Sequence, residues 1–120
     1  MIEKTKIMNT LKQKKISIKI NRFLNNLFIL EKNNNKFKNI LITVIYVYIS
    51  KNLNYSNIYI TVYPNIYNKK ILNFLNFKKN YYKKKISNFL KNNFKIPNIN
   101  FLLLNNNILE LIYLNKYHNL

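Results

Sequence analysis

The chain has 120 residues, enough for one hydrophobic core and too few for two, and 48% of them are hydrophobic, a globular proportion. It carries 21 basic against three acidic residues, a net charge of +18, which favours a polyanionic partner. Cysteine and glycine are both absent, which excludes disulfide frameworks, thiol catalysis, cysteine zinc sites and glycine-built phosphate loops.

Alanine and aspartate are missing too, while Asn, Lys, Ile, Tyr and Phe abound. The missing types have GC-rich codons and the enriched types AT-rich ones, the pattern of a strongly AT-biased, reduced genome. Part of the basic charge is therefore compositional. The opening stretch MIEKTKIMNTLKQKK has no apolar core of a secretory signal, and no run approaches the roughly 20 apolar residues of a membrane span, so a cytoplasmic protein is expected.

From Gln13 to Leu30 the apolar residues Ile16, Ile20, Phe23, Leu24, Leu27 and Leu30 recur at three- and four-residue spacing, one face of a helix. Lys14, Lys15, Lys19 and Arg22 occupy its flank. The polar stretch 31–39 predicts a loop. Residues 40–49 and 55–63 are β-branched and aromatic and predict two strands of a hairpin. Ser56, Ile58, Ile60 and Val62 then share the core face with Val47 and Ile49. Tyr46, Tyr48 and Tyr59 lie on the opposite face, with Tyr46 and Tyr59 neighbours across the ladder. These tyrosines are expected as partly buried sheet aromatics, though they could stack on bases. Pro64 ends the second strand.

Helices are predicted over 67–77 and 81–93, separated by a kink at Lys78-Lys79-Asn80. Ile71, Leu72, Phe74 and Leu75 form the apolar side of the first, and Tyr82, Ile86, Phe89 and Leu90 that of the second. A third strand follows Pro97, with Ile99, Phe101 and Leu103 inward. The final stretch could hold a short helix. The order α-β-β-α-α-β predicts an α+β domain, a three-stranded sheet with helices on one face. One domain spans 1–120, with 1–11 and 106–120 as less ordered tails.

Catalytic chemistry is hard to build here. Glu3, Glu31 and Glu110 are far apart, the single histidine is His118, and no acid–base pair or metal-ligand spacing exists. A non-enzyme without cofactor is expected. The basic residues Lys79, Lys83, Lys84, Lys85, Lys91 and Lys95, with the Lys14–Arg22 group, are the candidate RNA-binding set. Lysines act there as point charges that hold phosphate without reading bases.

The hairpin VYISKNL (47–53) and SNIYITVYP (56–64), the helix segment YKKKIS (82–87), Lys95 with PNINF (97–101), and KQKKI (12–16) together resemble the ribosome-binding factor A family of bacteria. The likeness covers about residues 10–115. Asn52 stands at the family's hairpin aspartate, Ser87 at a helix glycine, Asn105–Asn107 where an acid follows the last strand, and the Ala-x-Gly kink falls near Lys78–Tyr81. The resemblance implies a type II KH-like fold without a GXXG loop. It further implies a monomeric factor that binds 16S rRNA on immature or free 30S subunits and assists late assembly and 5′-end processing. A small structural ribosomal protein, or a general RNA binder, is the alternative. A membrane-surface protein anchored by ILNFLNFKK ranks last, because that helix has a core partner in the sheet.

Overall fold

The computed structural model describes residues 8–91 and 96–117. Its elements are α1 (Leu11–Asn33), β1 (Leu41–Ile49), β2 (Tyr55–Tyr63), α2 (Asn68–Phe77), α3 (Lys79–Leu90), β3 (Asn98–Leu103) and α4 (Asn106–Tyr117), with a 3-10 turn at Asn65–Tyr67 before α2. The order α-β-β-α-α-β of a KH-like α+β domain is present, extended by α4.

Helix α1 starts two residues earlier than the apolar spacing predicts because Thr10 caps it. The Thr10 hydroxyl accepts from the Gln13 N–H at 3.1 Å, and Gln13 Oε1 accepts from the Thr10 N–H at 3.0 Å, a capping box. Ile16, Ile20, Leu24 and Phe28 form its buried row. Leu30, expected inward, is 59% exposed, and Phe28 takes the core place, edge-on to the rings of Phe37 and Tyr82. Four residues on from Leu24, Phe28 keeps the 3.6-residue phase that Leu30 has left. Each such side chain contributes about 1.5–3 kcal/mol relative to exposure.

The sheet order is β1-β2-β3, with β1 antiparallel and β3 parallel to the central β2. Ile58, Ile60, Ile99 and Phe101 face the helices and are almost fully buried. In β1 the register shifts between Val44 and Tyr46. That bulge changes the inward parity from Ile42 and Val44 to Val47 and Ile49, and all four are buried. Tyr46 pairs with Tyr59 as the spacing predicts, their rings stacked at 6.1 Å. Tyr48 lies diagonal to Tyr55 at 6.0 Å.

Both sheet edges are occupied by side chains from the helices. Along β1, α1 aligns Gln13, Ser17 and Asn25. Gln13 Nε2 donates to the Ile49 carbonyl at 2.8 Å, and the Ser17 hydroxyl donates to the Val47 carbonyl. Asn25 Nδ2 donates to the Val44 carbonyl at 3.0 Å, while its Oδ1 accepts from the Val44 N–H at 2.7 Å. On β3, Asn76 of α2 does the same at Phe101, donating at 3.0 Å and accepting at 2.9 Å. Side chains thus satisfy backbone groups that an open edge would offer to another strand.

Helices α2 and α3 are separated by Lys78 alone, at the predicted kink. With no glycine, the positive-φ positions among the described residues fall to Asn35, Asn39, Leu53 and Lys91. Asparagine tolerates that region; leucine and lysine do so at a cost. The apolar side of α2 is turned to the core, with Ile71 and Leu75 buried. Among the described residues no helix is long and apolar enough to cross a membrane.

Candidate nucleic-acid interface

Two clefts gather some of the candidate basic residues. At the start of α3, Lys79 and Lys83 line a cleft of about 310 Å³ together with Asn80, Tyr55 at the start of β2, and Asn98 and Asn100 of β3. The α2–α3 junction puts these lysines here, since Lys79 opens α3 and Lys83 follows one turn later. Lys83 Nζ donates to Asn98 Oδ1 at 2.7 Å, which holds the ammonium at the mouth. Tyr55 is 39% exposed and presents an aromatic surface beside the two cations. Positive charge suited to phosphate, amide edges and a ring for stacking therefore meet in one place.

On the other side, Lys14 and Arg22 of α1 flank a second groove of about 340 Å³, between α1 and β1. Lys15 and Lys19 lie on the same exposed helix flank. Lys84, Lys85 and Lys91 are exposed on α3 and at its C-terminal end, outside both clefts. Lys85 Nζ sits 5.5 Å over the Tyr81 ring. Lys95 lies outside the described residues.

Tyr46, Tyr48 and Tyr59 are buried. Burial, with Tyr55 and Tyr59 nearby, pushes the Tyr48 phenol up to about 12. Burial likewise raises Tyr59, opposed by a hydrogen bond from Asn57. Tyr46 packs on Tyr59 and Tyr48 on Tyr55; Tyr55 lines the Lys79–Lys83 cleft, and Tyr46 lines the groove flanked by Lys14 and Arg22.

Three features were not anticipated from the residues. Tyr55 and the Asn80, Asn98 and Asn100 amides gave no signal in a chain so rich in tyrosine and asparagine. Glu31, expected in a loop, closes α1 and is buried. It accepts from the Tyr82 hydroxyl at 3.0 Å and from Lys36 Nζ at 2.9 Å. The same ammonium lies 4.8 Å from the Tyr81 ring centre and within 6 Å of those of Phe37, Phe74 and Tyr82. This contact fastens the 34–39 loop to the α2–α3 junction, next to the first cleft. Its sequence trace is a lone acid five residues before a lysine, with aromatic pairs far along the chain.

The family model for ribosome-binding factor A matches residues 12–106. The chain belongs to the ribosome-binding factor A family. The crystal structure of ribosome-binding factor A from Thermus thermophilus is similar in fold, with a TM-score of 0.62 at 16% sequence identity, covering 76% of this chain and 94% of that one. No curated protein sequence matches this chain. The resemblance read from the hairpin, the α3 lysines and the Pro97 strand is thereby confirmed. No glycine or alanine marks the α2–α3 junction: Lys78 makes the break with φ −96° and ψ 15°, and its N–H donates to the Phe74 carbonyl at 3.0 Å. A single residue with ordinary backbone angles is enough to separate the helices.

Proposed function

We propose that this protein is a small-subunit maturation factor: it binds 16S rRNA on immature or free 30S subunits and assists late assembly and 5′-end processing. It acts in the cytoplasm as a monomer, with no cofactor and no small-molecule substrate. The observation that carries this reading is the cleft at the α2–α3 junction, where Lys79 and Lys83 stand beside Tyr55 and three asparagine amides. Membership in a family of ribosome-binding factors supports the partner. Charge supports the polyanion: three acids cannot balance 21 basic residues, and one of the three, Glu31, is already taken by Lys36. In this reading Lys79 and Lys83 hold backbone phosphates, Lys84, Lys85, Lys91 and Lys95 extend the field, and Tyr55 stacks on a base.

Sucrose-gradient sedimentation of the tagged protein at moderate salt tests it. Migration with free 30S subunits and their precursors, with little on 70S ribosomes, is the expected result. Stoichiometric presence on 70S would make it a structural ribosomal protein, and retention at the top of the gradient would overturn the reading.

A further inference from the structure

The groove between α1 and β1 is apart from the α2–α3 cleft and differs in character. Its lining includes Ile18, which is 51% exposed, and Tyr46, together with the cationic Lys14 and Arg22. Lys14, Ile18 and Arg22 follow one another at four-residue intervals, so α1 presents a cation, an apolar side chain and a cation in a row. Met8 and Val47 add to the apolar lining, and two polar groups, Ser17 and Asn21, have hydrogen-bond roles set by their neighbours. The Ser17 hydroxyl gives its proton to the Val47 carbonyl, which leaves its oxygen as an acceptor. Asn21 Oδ1 accepts from Asn25 Nδ2 at 2.9 Å, which leaves the Asn21 NH₂ group as a donor.

An apolar floor, one donor, one acceptor and two flanking cations match the parts of a nucleotide: a flat base, its polar edge and its phosphate. The volume of about 340 Å³ is at the lower end of small-ligand pockets and admits one nucleoside, not a base pair. We infer that this groove receives a single extruded nucleotide of the bound RNA, with the base over Ile18, its edge on Ser17 and Asn21, and the flanking phosphates at Lys14 and Arg22. The inference rests on the RNA-binding reading above and adds a second contact to it, one that selects an unpaired base. A continuous duplex can meet Lys14 and Arg22 through phosphate alone; a bulged strand can fill the groove as well.

The test compares two RNA duplexes of equal length and charge, one fully paired and one carrying a single bulged 2-aminopurine, by polarisation and by the fluorescence of the modified base. The full chain is expected to prefer the bulged RNA by roughly tenfold, the size of one base contact. Ile18→Ser, on an exposed helix position, is expected to bring that ratio to about one and to abolish the fluorescence change. Equal affinity of the unsubstituted protein for the two RNAs overturns the groove assignment and leaves the RNA reading standing. Failure to bind either RNA at low salt overturns both. If Ile18→Ser instead weakens binding of poly-glutamate as strongly as that of bulged RNA, the occupant is an acidic peptide and the nucleotide assignment falls.

Discussion

The Asn25 side chain forms a two-point hydrogen-bonded pair with the main chain of Val44, accepting from its N–H at 2.7 Å and donating to its carbonyl at 3.0 Å. The amide imitates one rung of a β-ladder, so α1 serves as the missing neighbour of an edge strand. The position matters, because Val44 begins the register shift that turns β1 over. Asn25→Ala leaves two main-chain groups without their partner at a half-buried site, and a loss of about 2 kcal/mol is expected. Asn25→Asp keeps the acceptor but sets a carboxylate against the Val44 carbonyl, so it does not restore the full stability. Urea unfolding of the three proteins gives the order, with Asn25 the most stable.

Asn76 repeats the device at Phe101 on the opposite edge. Asn76→Ala is expected to cost a similar amount, and the double variant to lose close to the sum, since the two clasps are on different strands with no shared partner. The double variant also opens part of each edge to strand pairing, although Gln13 and Ser17 still cover the Ile49 and Val47 carbonyls. Its elution volume in size-exclusion chromatography should therefore become concentration-dependent, while each single variant stays closer to the parent.

Tyr82 and Glu31 give a prediction in pH. Burial, then the charge and hydrogen bond of Glu31, push the Tyr82 phenol up from its ordinary 10, and Tyr48 is raised to about 12. Because the folded state holds these protons more tightly than the unfolded chain, their contribution is complete below pH 10. It is lost as pH climbs through the raised values, with Tyr48 acting between about pH 10 and 12. Tyr82→Phe removes one donor from a buried carboxylate, an expected cost of about 1.5–3 kcal/mol at neutral pH. It should also flatten the fall in stability above pH 10, because one of the groups responsible is gone. Thermal melts from pH 7 to 11 compare the two slopes, and an unchanged slope would remove Tyr82 from this account.

Much of the fold was legible because strands and helices announce themselves by period. The alternation in 55–63 placed Ile58 and Ile60 on the core face, and the Tyr46–Tyr59 pair followed from a short hairpin. The break at Lys78 was visible as three polar residues between apolar stripes. The bulge in β1 was not: no glycine marks it, and Ile42 and Val44 look out of phase with Val47 and Ile49 until the extra residue is seen. Edge clasps by Asn25 and Asn76 were hidden by composition, since asparagine occurs everywhere in the chain and its identity carries little information. The candidate site was legible as charge but not as geometry. Lys79 and Lys83 stand out in the sequence as cations, yet only the parallel pairing of β3 with β2 brings Tyr55, Asn98 and Asn100 beside them.

The absence of glycine has a measurable cost at the end of α3. Lys91 has φ 60° and ψ −153°, a region that only glycine occupies freely. A lysine there is held at an expense of about 1–3 kcal/mol. Lys91→Gly relieves that strain but adds freedom to the unfolded chain, an opposing term of about 0.5–1 kcal/mol. A net gain of about 1 kcal/mol is expected, read as a higher urea midpoint with an unchanged slope. The same change removes one outlying cation, so RNA affinity should fall slightly while stability rises, which separates the two effects in one protein.

Lys83 is held by Asn98 at 2.7 Å, whereas Lys84, its neighbour on α3, lies outside the α2–α3 cleft. If Lys79 and Lys83 each neutralise a phosphate, replacing either with glutamine removes one released counterion from the binding equilibrium. The plot of log affinity against log salt should then become shallower by roughly 0.7–0.9 for each substitution, and by about twice that in the double variant. Lys84→Gln lowers the general field without a fixed phosphate, so it should shift the line with little change of slope. Slopes are the informative quantity here because any loss of charge in so basic a chain weakens binding. A Lys84 effect on slope equal to that of Lys83 would mean that the lysines act as one diffuse cloud and that the cleft has no privileged part in holding RNA.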